Sequence, residues 1–278
     1  MSVTHRDNRW LVVATDNQAG GTTVVVTDRV LQKSDRTIEI KDAERVLATP
    51  GIDGAAFAGF SWTEHGELIA AVDWDLLAWK LTPENSPTLL ANAGKFSLFE
   101  RPQRYAAVSG GAGRDIWAVT LHGELRHCRL EEKNIVQLKS WLIPGTGNCN
   151  VCRLSRDRKQ LAIGKSDGSL VVFDTETQSF SKLLQSAHTD AVQAMAWLDD
   201  QRLITGARDG SLAVWNVQAS SGPVLSYQLN LEAAITDICP AADGKNLYVV
   251  CHQDSGIRVL NHHQIEETIR QLRRKNLN

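Results

Sequence analysis

Short apolar strands separated by tight polar turns recur along most of this chain. The clearest case is "AHTDAVQAMAWLDDQRLITGARDGSLAVWNV", residues 187–217, where three apolar runs are joined by the turns "LDDQ" and "RDGS". In the second turn, Gly210 can take the positive φ of a tight hairpin, and the Asp209 carboxylate can bond to the turn backbone. The pattern predicts a meander of three antiparallel strands.

The same pattern of a strand, a tight turn and a further strand recurs at a regular interval. Five turns are each followed six positions later by a further strand residue, and the pairs are Asp73/Trp79, His122/Cys128, Asp167/Phe173, Asp209/Trp215 and Asp254/Leu260. The interval is 42 residues at its shortest, from Asp167 to Asp209, and 49 at its longest, from Asp73 to His122. A sixth unit lies upstream, where "LVVAT" and "TTVVVTD" flank "DNQAGG". Periods of roughly 40–45 residues indicate propeller blades.

Six of the predicted strands are apolar on both faces, and we predict that they are the inner strands, buried between neighbouring blades. They read "LVVAT", "LIAAV", "IWAVT", "LAIGK", "LITGA" and "LYVVC".

On these features the chain resembles the WD-repeat family of β-propellers, over nearly its whole length and most clearly at residues 187–217. The resemblance implies an all-β propeller of about six blades over residues 1–264, each blade an antiparallel four-stranded sheet. It also implies a blade-stabilising hydrogen-bond network, which runs from a His before the blade, through a Ser or Thr and a turn Asp, to the Trp of the third strand. The residues that match it are His188, Thr205, Asp209 and Trp215.

Such a network is structural, because it satisfies buried polar groups that would otherwise each cost about 1–3 kcal/mol. We therefore expect Asp209→Ala to destabilise more than Thr205→Val, which removes a single hydroxyl. A hydrolase would also need a nucleophile beside the base, an oxyanion hole and a cleft, and the sequence implies none of these. The chain is predicted not to be an enzyme.

The other blades depart from this pattern. The departing residues are His122 and Cys128 in the third blade, Ile163 in the fourth, and Val250 and Leu260 in the sixth. We expect these blades to rely on apolar packing between sheets.

Composition and charge narrow the class of protein. With 42% hydrophobic residues, 22% charged residues and a net charge of −2, the chain fits one large globular domain and has no basic footprint for nucleic acid or an anionic membrane. No apolar run is long enough for membrane insertion, and "MSVTHRDNRW" lacks the apolar core of a secretory signal. The odd count of five cysteines favours a reducing compartment, so we predict a cytoplasmic protein.

One CxxC motif, Cys149 and Cys152 in "GNCNVCRLS", is a weak candidate for a metal or redox site. Residues three apart in a strand point to opposite faces, so the two thiols could share a metal only if a bulge intervened. No second CxxC is present, and we predict neither a metal nor a cofactor.

Residues 265–278, "IEETIRQLRRKNLN", predict a separate C-terminal amphipathic helix. Ile265, Ile269 and Leu272 form its apolar stripe. Its basic residues are Arg270, Arg273, Arg274 and Lys275. The helix either caps the propeller or docks on an acidic partner or a membrane surface, and four basic residues are few for membrane attachment.

The predicted strands fall about two short of the 24 that six four-stranded blades need. The first blade lacks an inner strand and the last an outer one. Either the ring is open and exposes strand edges at "RWLVVATD" or "GIRVLN", or the segment near 9–15 closes it as the outer strand of the last blade. We favour closure, because long exposed apolar edges invite aggregation.

Short loops without a convergent cluster of reactive residues favour a protein-protein interaction scaffold in a hetero-oligomeric complex. The alternatives are a sensor subunit paired with a separate kinase, protease or NTPase, and a propeller enzyme or ligand binder that uses the central channel. In the family, partner contacts often lie at the start of the inner strand and just before the turn Asp. The matching residues are Asn148, Asp190, Ser166, Arg208 and Gln253. Arg208 is the predicted hot spot.

Overall fold

The chain folds almost entirely into short β-strands. The computed structural model describes residues 2–6, 10–16, 22–27, 30–34, 37–40, 45–46, 57–82, 85–92, 103–217, 223–241, 245–252 and 257–267. The strands are β1 (Ser2–Arg6), β2 (Trp10–Asp16), β3 (Thr22–Thr27), β4 (Val30–Ser34), β5 (Thr37–Ile40), β6 (Arg45–Val46), β7 (Phe57–Trp62), β8 (Glu67–Val72), β9 (Asp75–Thr82), β10 (Asn85–Asn92), β11 (Tyr105–Gly110), β12 (Asp115–Thr120), β13 (Glu124–Leu130), β14 (Ile135–Leu142), β15 (Cys149–Leu154), β16 (Gln160–Lys165), β17 (Leu170–Asp174), β18 (Ser179–Leu184), β19 (Val192–Trp197), β20 (Arg202–Ala207), β21 (Ser211–Asn216), β22 (Val224–Asn230), β23 (Ile235–Pro240), β24 (Asn246–Cys251) and β25 (Ile257–Asn261).

These strands form antiparallel sheets that follow one another along the chain. Five sheets have four strands, in the orders β1-β2-β3-β6, β7-β8-β9-β10, β11-β12-β13-β14, β15-β16-β17-β18 and β19-β20-β21-β22. A sixth sheet, β23-β24-β25, has three strands, and β4 and β5 form a separate pair. The all-β propeller is therefore present, but it has five four-stranded blades where about six were predicted. The three-stranded sheet β23-β24-β25 occupies the place of the sixth blade and is called the sixth blade below.

The first strand of each sheet lies in an inner ring. Contacts run from β7 to β11, β15, β19 and β23 in turn, and β1 contacts both β23 and β7, so the ring is closed. The strands predicted to be innermost, such as "LITGA" in β20, are instead second in their sheets. Of these second strands, β8, β12, β16 and β20 are buried along almost their whole length, as predicted from their apolar faces.

Closure is achieved differently from the predicted crossing of residues 9–15. Those residues fall largely in β2, which pairs without interruption with β1 on one side and β3 on the other, so the prediction is wrong. The first blade also has the inner strand that appeared to be missing, β1. The outermost strand of the last sheet, β25, lies beside β5, which belongs to the pair inserted between β3 and β6. The two ends of the fold thus meet at both the inner ring and the rim.

Apolar side chains from facing sheets fill the spaces between blades. One cluster joins the third and fourth blades through Trp117, Leu125, Leu161 and Phe173, and similar clusters fill the neighbouring interfaces. Several close approaches between blades require a residue without a side chain, and Gly206 is one example. A Cβ at Gly206 would lie 2.5 Å from Cγ2 of Ile235 in the next inner strand.

A bulge interrupts the inner strand of every blade from the second to the sixth, at an equivalent place. Each bulge adds one residue against the neighbouring strand, and these residues are Ala58, Ala106, Asn150, Gln193 and Thr236. In β1 the pairing with β2 is uninterrupted. Because the extra residues also line the central cavity, the bulges direct one position of each of these five strands toward the axis.

A short helix at residues 262–267 follows β25 directly. Ile265 packs against the apolar cluster between the fifth and sixth blades, and Glu266 Oε1 accepts a hydrogen bond from Arg202 Nη1 over 2.8 Å. Arg202 also contacts Asp199 Oδ2 through Nε over 2.6 Å. This part of the helix is docked on the propeller. The basic residues Arg270, Arg273, Arg274 and Lys275 lie outside the described residues, and no helix among those described is long and apolar enough to cross a membrane.

Candidate functional site

The four residues of the predicted network lie together in the fifth blade. The Trp215 indole donates to Thr205 Oγ1 over 2.8 Å, and His188 Nε2 lies 2.7 Å from the same oxygen. His188 Nδ1 contacts Ser211 Oγ, a residue that the sequence analysis missed. Asp209 does not contact His188 directly, because Ser211 stands between them.

The hydrogen bonds have one consistent direction. Ser211 donates to Asp209, so its oxygen accepts from Nδ1–H of His188, and His188 Nε2 then accepts from Thr205. Asp209 also accepts from the backbone N–H and the hydroxyl of Thr189. Burial alone would raise the pKa of the Asp209 carboxyl, but these hydrogen bonds outweigh it and lower the pKa to about 2. Burial lowers the pKa of His188, against the attraction of Asp209, which favours the neutral ring.

This arrangement holds the entry loop of the blade to its second and third strands. His188 is only 4% exposed, and Ser211 and Thr205 are also buried, so no substrate reaches the hydroxyls. The Ser211 proton points to a carboxylate, whereas a serine nucleophile passes its proton to the histidine. The geometry therefore suits a structural tie.

Other blades use different residues at the equivalent places. In the fifth blade, Trp215 pairs across the sheet with Leu203, and Thr205 lies two residues further along. In the second blade, Trp79 pairs with Leu68 in the same way, so Ala70 is at the position of Thr205. Alanine has no hydroxyl, and the buried Trp79 Nε1 has no hydrogen-bond partner among the described residues. In the fourth blade, Phe173 takes the tryptophan position and has no N–H to satisfy.

Buried cations make polar ties in two other blades. In the third, Arg126 donates to Glu124 Oε2 from both Nε and Nη2 and reaches the Tyr105 hydroxyl of the inner strand over 3.2 Å. In the fourth, the fully buried Lys165 donates to the Pro144 carbonyl of the entry loop over 3.1 Å. Apolar packing is therefore supplemented by polar ties that the sequence analysis did not anticipate.

Comparison with known proteins agrees with this architecture. The family model "WD domain, G-beta repeat" matches residues 181–216, which include the whole network. The β-propeller domain of Cps50 (Swd1) from Myceliophteria thermophila superposes with a TM-score of 0.64 at 13% identity, covering 94% of this chain and 85% of that one. The chain is a β-propeller, and one of its blades matches a WD repeat. A chain in the crystal structure of the mitotic checkpoint complex shares the fold at a TM-score of 0.65, with 17% identity over 91% of this propeller and 70% of that chain.

Curated relatives match shorter parts of the propeller. The Set1 complex component swd1 of Schizosaccharomyces pombe is 33% identical over 90 residues, which are 32% of this chain and 22% of that protein. The retinoblastoma-binding protein homolog 5 of Caenorhabditis elegans is 27% identical over 90 residues, covering 32% and 19%. The matched part spans about a fifth of the length of these relatives.

Four of the five candidate partner-binding residues lie on one face, which we call the upper face. It carries the entry loops and the turns between second and third strands. Asn148 and Ser166 are exposed and tied by reciprocal hydrogen bonds of 2.8 and 2.9 Å. Arg208 is exposed and its backbone N–H bonds Ala191 O over 2.9 Å, which brings it beside the exposed Asp190. Gln253 lies outside the described residues.

The upper face also carries an exposed tryptophan that the sequence analysis did not select. Trp74 is 52% exposed at the tip of a two-residue turn whose first residue, Asp73, has a φ of 44°. Tyr105 N–H bonds Asp73 O over 2.6 Å, and Arg104 Nη2 lies 2.9 Å from Asp73 Oδ1, so the turn is fixed to the next blade. A tryptophan directly after the turn aspartate, where two other blades have glycine, was the available signal.

A cavity of about 350 Å³ opens at the axis, lined by bulge residues of the inner strands and by Arg104. Asn150 Nδ2 donates to Val192 O over 3.2 Å and Thr236 Oγ1 to Val250 O over 3.1 Å, so part of the polar lining is engaged within the protein. Among the described residues, no three His, Cys, Asp or Glu side chains are grouped to hold a metal ion.

The CxxC cysteines lie in β15 on either side of the Asn150 bulge, and both join the apolar cluster between the third and fourth blades. Two side chains three residues apart in a strand can share a face only if a bulge lies between them, and Asn150 provides that bulge. Burial raises the pKa of Cys149 to about 11 and that of Cys152 to about 12, which keeps both as protonated thiols. Their surroundings suit core packing.

Proposed function

We propose that the protein is a non-catalytic interaction subunit of a multi-protein complex and that partner proteins bind its upper face. The observation that carries this proposal is Trp74, a large aromatic side chain held out at the tip of an anchored turn. About half of the Trp74 side chain stays exposed in the folded protein, and an aspartate with positive φ at the preceding residue adds strain. Tryptophan is also one of the residues enriched at energetic hot spots of interfaces, with tyrosine and arginine.

The surroundings of Trp74 fit a protein ligand. Because Asp73 is tied to Arg104 and Tyr105, little order has to be imposed on the turn when a partner binds. Arg208 supplies a second anchor, since its guanidinium is exposed and has no hydrogen-bond partner among the described residues. Arginine combines a planar fork of donors with a face that stacks on aromatic rings.

The named relatives support a role in a complex. One is a component of the Set1 complex, and one structural neighbour is a chain of the mitotic checkpoint complex. The buried hydroxyls of the network and the protonated thiols of the CxxC pair support a role without catalysis. All five cysteines are free, which supports a reducing compartment such as the cytoplasm, and cell fractionation would test that location.

The test is quantitative co-purification of tagged protein from its own cells, with Trp74→Ala and Arg208→Glu beside the wild type. Arg156→Glu is the matched control, because Arg156 is equally an exposed arginine but lies in the turn between β15 and β16 on the opposite face. We expect both upper-face variants to lose about tenfold or more of a shared set of partners, and the control to keep them. Retention of every partner by Trp74→Ala and Arg208→Glu would refute the proposal.

A further inference from the structure

The exposed apolar residues of this propeller are concentrated on the rim. Of the six large hydrophobic side chains exposed among the described residues, five lie on two outermost strands; these are Val136, Leu138 and Leu142 in β14, and Val224 and Leu225 in β22. Leu138 is 42% exposed and Leu142 is 84% exposed. Outermost strands are normally protected by charges, prolines or bulges. In β14 these are the bulge at Leu138 and Lys139, whose Nζ donates to Gln178 Oε1 of the fourth blade over 2.6 Å, and Leu142 stays exposed beside them.

The free edge of β14 has a defined set of backbone groups. The Ile143 N–H bonds Gly123 O, and Leu142, Trp141 and Ser140 pair in turn with residues of β13. Since alternate residues of an antiparallel ladder bond to the partner strand, the N–H and C=O groups of Ser140 and Leu142 point away from β13. No described strand pairs with that side. Another β-strand could therefore form hydrogen bonds with the N–H and C=O groups of Ser140 and Leu142.

The side chains of the same segment are nearly symmetric about Ser140. Its sequence is Leu-Lys-Ser-Trp-Leu, residues 138–142. If a second copy pairs antiparallel with Ser140 opposite Ser140, Leu142 of each copy comes opposite Leu138 of the other, the residue that forms the bulge of β14 against β13. The same register places Lys139 opposite Trp141 and avoids two lysines facing each other.

We propose that the β14 edge is a self-association surface, on which two copies join blade to blade in one continuous sheet around a two-fold axis. An isologous contact of this kind requires a surface that is complementary to itself, and residues 138–142 meet that requirement. The contact involves a single strand from each copy, so it belongs to the weak class of interfaces, with a dissociation constant of about 1–100 µM.

Sedimentation velocity of the full chain over about 1–300 µM tests this proposal, since that range brackets the expected constant. We expect a concentration-dependent doubling of mass for the wild type. Leu142→Lys should abolish it through charge at the pairing position, and Ser140→Pro should abolish it because the lost N–H faces the free edge and not β13. Val224→Lys is the control, because it places a lysine on an equally exposed position of another outer strand.

Circular dichroism and the melting temperature of each variant confirm that the propeller is folded. Dimers that persist in both Leu142→Lys and Ser140→Pro would overturn the proposal, because the contact would then lie elsewhere. A wild type that stays monomeric over the whole range would also overturn it and would leave the edge to a strand from a different protein. Neither result would bear on partner binding at the upper face.

Discussion

The Trp215 indole donates to the Thr205 hydroxyl over 2.8 Å, and the same oxygen lies 2.7 Å from His188 Nε2. Thr205 is therefore the centre of the fifth-blade network, because its hydroxyl accepts from the Trp215 indole and donates to His188 Nε2. Asp209 lies at the far end and is partly exposed. This placement reverses the order of effects expected from the sequence.

Thr205→Val should destabilise the protein more than Asp209→Ala. The valine leaves a buried indole N–H and a buried imidazole nitrogen unpaired, at a cost of about 1–3 kcal/mol. The groups that bond Asp209 include Thr189, which is exposed and can turn to water. Urea unfolding of both variants measures the two free energies. A larger loss for Asp209→Ala would show that the carboxylate, and not the threonine, organises the blade.

Trp215→Phe should cost more than Trp79→Phe, although both tryptophans are buried at equivalent places. The first change breaks a hydrogen bond, with a loss of about 1–3 kcal/mol, whereas the second removes an indole N–H that is already unpaired among the described residues. For a chain of this size, 1 kcal/mol corresponds to roughly 2–4 °C in melting temperature. Differential scanning calorimetry of the two variants checks the difference, and equal shifts would contradict it.

The contribution of His188 should depend on pH. Its pKa is lowered in the folded protein, so the unfolded chain takes up the proton more readily. The stability from the neutral ring is complete above its unfolded pKa of about 6.5 and is lost as the pH falls toward the folded value. The gap in unfolding free energy between wild type and His188→Gln should narrow from pH 8 to pH 5. A gap of constant size would rule out this linkage.

The docked helix should depend on Arg202, which reaches both Asp199 and Glu266. Arg202→Met leaves the buried Glu266 carboxylate without this guanidinium, so we expect faster amide hydrogen exchange at residues 262–267. Lys159→Met is the control, because it breaks an exposed ion pair with Glu176 that does not involve the helix. Unchanged protection of the helix in Arg202→Met would mean that the packing of Ile265 alone holds it.

The turns made the blades predictable, because Asp-Gly turns with positive φ recur between strands that are buried on both faces. The network was only partly predictable. Thr189 directly follows His188, and Ser211 lies two residues after Asp209. That Ser211 contacts His188, whereas Thr189 contacts Asp209, depends on how β20, β21 and the entry loop pack together. The inner strand β1, "SVTHR", has too few apolar residues to be predicted as an inner strand. Its position depends on contacts with β7 and β23, which are far away in the sequence.

The bulges were also beyond sequence reasoning, since one extra residue in a ladder changes which side chains share a face without changing composition. The bulge at Asn150 brings Cys149 and Cys152 into one cluster in this way. The same kind of irregularity at Ala58, Ala106, Gln193 and Thr236 repeats around the axis.

The position of β1 between β7 and β23 has a consequence for the order in which the chain can fold. The ribosome makes β1 before both of its neighbours, and one of them, β23, is made only when synthesis has passed residue 235. Contacts between such distant parts of a chain slow folding, and the first blade stays one-sided until they form. A nascent chain stalled before residue 235 should therefore remain sensitive to protease within its first blade, and release of the last sheet should protect both ends together.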